Sequence, residues 1–150
     1  MESLYPILKS AHSGWRYIVL ILLVVSILQA LSGWFGKKAY TEGNRKLNVF
    51  TLISAHIQFL MGIGLYVLSP LTKGPTSEAL YRYWKMEHIA IMIAAVVLIT
   101  IGNTRSKKVA DAVAKHKSVA IFFGIALILI IASIAMMVKN DPSRSFFGVS

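Results

Sequence analysis

Four long apolar runs, separated by short polar connections, leave this chain few ways to fold. They read as roughly 17–35 ("YIVLILLVVSILQALSGWF"), 49–69, 86–102 and 118–138. About 20 apolar residues cross the hydrocarbon core of a bilayer as a helix, so each run reads as one transmembrane span. The third is short, but "YRYWKMEH" ahead of it extends the helix into the interface. Composition agrees. Mean hydropathy is +0.65 and charged residues are 15% of the chain, where a soluble domain carries about 25%. There is no strand signal and no internal repeat. The expected fold is all-α: a single domain over 1–150, an integral membrane four-helix up-down bundle with both termini on the same side.

Local signals support these spans. Trp15, Tyr17, Trp34, Phe35, Tyr66, Tyr81, Tyr83 and Trp84 cluster at span ends, as an aromatic belt requires. Pro6, Pro70 and Pro142 fit helix boundaries. "SPLTKGPTSE" reads as an irregular loop. "GKKAYTEGNRKLN" and "NTRSKKVADAVAKHK" are the other connections, and the second has no breaker after Val109, so it can lengthen the fourth helix upstream. "MESLYPILKS" has no positive n-region followed by a cleavage site. The first apolar run is therefore expected to stay as an anchor.

The net charge of +10 does not imply nucleic acid as a partner, because the 16 Lys and Arg flank apolar runs, where they meet lipid headgroups. The first loop carries Lys37, Lys38, Arg45 and Lys46, and the third carries Arg105, Lys107, Lys108, Lys115 and Lys117. The opposite side carries Lys9, Arg16, Lys73, Arg82, Lys85, Lys139 and Arg144 over a longer length. The positive-inside rule then puts loops one and three in the cytoplasm of a bacterial inner membrane, with both termini periplasmic.

The chain has no cysteine, which excludes disulfides, thiolate zinc, iron–sulfur clusters and covalent haem, but not a cofactor held by histidine. It has four histidines, one for each span. His12 precedes the first run and His88 opens the third, both toward the outer face. His56 lies about two turns inside the second and His116 precedes the fourth, both toward the inner face. In an up-down bundle helices one and three are diagonal partners, as are two and four. The expected ligand pairs are therefore His12 with His88, and His56 with His116, each pair gripping one b-type haem.

Small residues lie at suitable heights. Gly62 and Gly64 fall about 9–12 Å along the axis from His56, beside the outer pair, and Gly33 falls beside the inner pair. Arg16 and Arg82 flank the outer pair and suit haem propionates. The expected ligand set is thus His12, His56, His88 and His116, supported by Arg16, Arg82, Gly62 and Gly33.

"AHSGWRYIVLILLV", "AHIQFLMGIGLYVLSP" and "EHIAIMIAAVVLITIG" resemble a family of small four-helix bacterial membrane proteins labelled cytochrome-b-like. The resemblance covers most of the chain and implies haem b and electron transfer, with the same four histidines as ligands. Two haems would carry electrons within or across the bilayer, from quinol or a protein redox partner, in a homo-oligomer or a larger respiratory complex. Gln58 is a candidate hydrogen-bond partner for a quinone, for the second nitrogen of a histidine or for a neighbouring helix, and Glu87 is a candidate proton acceptor or an interfacial carboxylate. Two other classes remain open: a cofactor-free structural or assembly subunit, and a copper or zinc protein using the same histidines. The second would need those histidines at one depth. No nucleophile elbow, phosphate loop or HExxH motif is present, so electron transfer is favoured over stand-alone catalysis.

Overall fold

The computed structural model describes residues 4–68, 78 and 86–140. Four helices make up the fold, with no strand among the described residues: α1 Leu4–Phe35, α2 Glu42–Leu68, α3 His88–Lys108 and α4 Ala112–Asn140. All four are long and apolar enough to cross a membrane, giving a multi-pass membrane protein. α1 packs on α2 and α4, and α3 packs on α4 and, more loosely, on α2. α1 and α3 therefore face each other across one diagonal, and α2 and α4 across the other. The register is antiparallel throughout: Gln58 meets His12 and Trp15 meets Ser54 between α1 and α2, while His88 meets Ser133 and Lys115 meets Ser106 between α3 and α4.

The helices run further than the apolar runs. α1 begins at Leu4, well before the expected start, with Pro6 in its first turn, where the missing N–H costs nothing. At 32 residues it is about 48 Å long, which exceeds the hydrocarbon core and carries His12 on helix rather than on a flanking loop. α2 likewise begins at Glu42, inside the expected first loop. α4 begins at Ala112, as the breaker-free stretch upstream of the fourth run allows. Pro70, Pro142, Arg82 and the loop "SPLTKGPTSE", apart from Glu78, lie outside the described residues.

The interior is narrow and partly polar. Val19, Leu23, Ser26, Ala30 and Gly33 form one seam of α1, and Ala95, Ile99, Gly102 and Ser106 form one seam of α3. Steps of three and four keep such residues on one face, so they meet the neighbouring helices along the whole length. The outside is greasier than the inside. Ile21, Leu28, Leu60 and Ile128 are each more than 60% exposed, which suits lipid tails and would be costly in water. With lipid outside, packing and hydrogen bonds between helices have to hold the bundle. Ser26 Oγ and Thr51 Oγ1 lie 2.7 Å apart, both fully buried. Thr51→Val is expected to destabilise the bundle by about 0.6–1.7 kcal/mol, read as a lower unfolding midpoint in detergent. An unchanged midpoint would show that the hydroxyl pair contributes nothing.

The α1–α2 connection is set by backbone geometry. Lys38 N–H donates to Gly33 O at 3.0 Å and Lys37 has φ 53°, the left-handed C-terminal cap normally given to glycine. A side chain in that region costs about 1 kcal/mol or more. Lys37→Gly is therefore expected to raise stability by about that amount, and a variant no more stable than the parent would contradict the cap.

Candidate haem-binding site

His12 and His88 come together across the α1–α3 diagonal. Their ring centroids are 6.3 Å apart and the ring planes are 69° from parallel. A metal–imidazole nitrogen bond is about 2 Å and that nitrogen lies about 1.1 Å from its ring centre, so imidazoles on opposite sides of one metal have centres about 6 Å apart. The observed separation fits that requirement. A π-helical turn at Met86 and Glu87 leads into His88; such wide turns recur at functional sites.

Each ring is positioned by its surroundings. His88 Nδ1 lies 3.1 Å from Ser133 Oγ on α4, a hydroxyl only 1% exposed. That contact ties the His88 ring to α4 and fixes its orientation. His12 packs against Gly62, where an added Cβ would lie 3.3 Å from its Nε2. Gln58 Nε2 donates to His12 O at 2.8 Å, tying α2 to α1 beside the ring. Gln58 Oε1 is buried with no hydrogen-bond partner among the described residues.

Two adjoining cavities of about 50 and 60 Å³ flank the histidine axis. One extends toward α2, past Ala55, Phe59 and Gly62; the other extends toward α4, past Arg16, Ser133 and Met137. Arg16 thus reaches the site as its spacing from His12 implies. Its Nη2 donates to Tyr17 OH at 3.2 Å, and its guanidinium lies over the Tyr17 ring. Trp15 is not only an interface anchor, because its indole N–H donates to Ser54 O at 2.9 Å.

The expected inner pair is not assembled. His56 lies on the exposed face of α2, and its Nδ1 is 2.8 Å from Leu52 O, one turn back on its own helix. His116 is 2% exposed, with Nε2 3.1 Å from Ala39 O and its ring 5.2 Å from that of Tyr40. Gly33, expected to leave room for a macrocycle, instead seats the His116 ring directly. The reason is angular. Residues 56 and 58 stand about 200° apart around a helix, so α2 cannot turn both inward, and it is Gln58 that faces α1.

Among the described residues no group of three or more His, Asp or Glu side chains converges on a point. Gln58 bonds a neighbouring helix, one of the partners its sequence position offered, whereas the contact of Ser133 with His88 was not legible in the sequence. Ser133 falls on the stripe of α4 that continues through Ile130 and Met137. No protein-family model, curated protein or solved structure matches this chain.

Proposed function

We propose that this protein is a membrane-embedded b-type cytochrome that holds one haem between His12 and His88 and relays electrons within the bilayer. The observation that carries the reading is the diagonal imidazole pair at 6.3 Å. The donor set supports it: two imidazoles on opposite sides suit a group that brings its own four equatorial nitrogens, whereas copper or zinc would call for a third protein ligand nearby. The haem would supply a reversible one-electron iron couple. His12 and His88 would hold the iron, Ser133 would orient His88, and Arg16 would offer a cation to a propionate. The flanking cavities are water-sized as they stand, so a macrocycle would take its room from the loose α2–α3 seam, with Met92, an adaptable side chain, at its edge.

A quinol or a protein would serve as the redox partner, and the basic loops would face the cytoplasm of a bacterial inner membrane by the positive-inside rule. Purified protein assayed as its pyridine haemochrome tests the proposal: one haem b per chain supports it. A chain that stays colourless when expressed with ample haem would leave a cofactor-free subunit as the better account, and two haems per chain would return the inner pair.

A further inference from the structure

The far end of the bundle holds a second polar cleft, on residues separate from the His12–His88 pair. There the last turns of α1, the α1–α2 connection and the start of α4 line an open cleft of about 360 Å³, with Ser32, Lys38 and Thr41 exposed at its mouth. That volume lies in the range of small-molecule pockets and exceeds what a bare ion needs. Its polar lining is Gln29, Ser32, Lys38, Thr41, Asn44 and His116. One side chain in that set is a cation, and none is a carboxylate. Glu42, next in sequence to Thr41, is instead engaged in an ion pair with Arg45.

The donors are held in place. The left-handed turn at Lys37 folds Lys38 back over α1, so that Lys38 Nζ donates to Ser32 Oγ at 2.7 Å. Thr41 and Asn44 bond each other across the α2 cap and shape the rim. His116, pinned between Gly33 and Ala39 O, forms part of the wall. Gln29 differs from these. It is a half-buried amide about two turns inside the end of a membrane helix, and it makes no hydrogen bond among the described residues. An amide at that depth gains from a polar ligand.

The surroundings select the ligand's charge. This end of the bundle carries nine Lys and Arg (Lys37, Lys38, Arg45, Lys46, Arg105, Lys107, Lys108, Lys115 and Lys117) against Glu42 and Asp111. Trp34 and Phe35, stacked at 4.7 Å, mark where α1 leaves the hydrocarbon. Headgroup phosphates lie at that level, and basic pockets between membrane helices bind them.

We propose that this cavity binds a phosphate group, presented by an anionic phospholipid headgroup, with Lys38 as the charge partner and Gln29 as the neutral donor. A free phosphate shares the chemistry but lacks the acyl chains that would lie along the apolar outer face of α1.

Calorimetric titration of the full chain in neutral detergent tests this. The probes are short-chain phosphatidylglycerol, short-chain phosphatidylcholine and inorganic phosphate. Phosphatidylglycerol is expected to bind at one site per chain, at least about tenfold tighter than phosphatidylcholine. Lys38→Gln is expected to weaken it at least about tenfold, and Lys38→Arg no more than about threefold. Lys107→Gln, on the same basic end but outside the cavity, should leave binding unchanged. Gln29→Leu should weaken binding without altering the unfolding midpoint. Inorganic phosphate binding as tightly as phosphatidylglycerol, with the same dependence on Lys38, would support the phosphate site and assign it to the free ion. Equal losses in Lys38→Gln and Lys107→Gln would reduce the effect to diffuse surface charge and overturn the proposal. So would the absence of saturable binding to any probe.

Discussion

Either His12→Ala or His88→Ala is expected to abolish haem binding, taking haem per chain from about one to below about 0.1, while His56→Ala and His116→Ala retain it. On the proposed reading His12 and His88 would together hold the macrocycle between α1 and α3, and loss of either would leave one imidazole to hold it. The contrast follows from geometry: the ring centroids of His12 and His88 lie 6.3 Å apart, whereas His56 is exposed and its Nδ1 lies 2.8 Å from Leu52 O of its own helix. The four alanine variants, purified alongside the parent and compared by reduced-minus-oxidised spectra and haemochrome yield, make the measurement. Two haems in the parent and one in His56→Ala would restore a second site and show that α2 turns His56 inward when loaded. Retention in both His12→Ala and His88→Ala would remove haem from this diagonal altogether.

The second large effect is expected at the other end of the bundle. Gly33→Ala should destabilise the protein by about 1–3 kcal/mol, the usual cost of forcing a methyl group into a packed interior. The added carbon would overlap the His116 ring at Cδ2, Nε2 and Cε1 together. His116 cannot swing clear at no cost, since it is buried and its Nε2 is bonded to Ala39 O. The pair is therefore coupled. His116→Ala in the Gly33→Ala background should recover part of the loss, with an interaction free energy of about 1 kcal/mol or more in a double-mutant cycle. Unfolding in detergent, monitored by circular dichroism, provides the four corners. Additive losses would mean that the two positions do not touch.

Hydropathy along the chain determined the number of spans, the all-α fold and the antiparallel order, because a continuous apolar run of about 20 residues satisfies its backbone inside hydrocarbon as a helix. It also determined the depth of each histidine, since depth in a spanning helix is simply position in sequence. His12 and His88 could thus be paired from the sequence, and Arg16 and Gly62 placed beside them. Rotation about each helix axis was decided only by the tertiary structure. In a soluble helix the apolar stripe reports which face is inward; here the lipid-facing side is equally apolar, so that signal vanishes. A different stripe was present in α2, where Asn48, Thr51, Ala55, Gln58 and Gly62 recur at steps of three and four, leaving His56 off the seam. Polar and small residues mark the inward face of a membrane helix. Packing then chose among contacts the sequence left open: Gln58 on the His12 carbonyl, Ser133 on His88, and the ring of His116 in the space that Gly33 leaves empty.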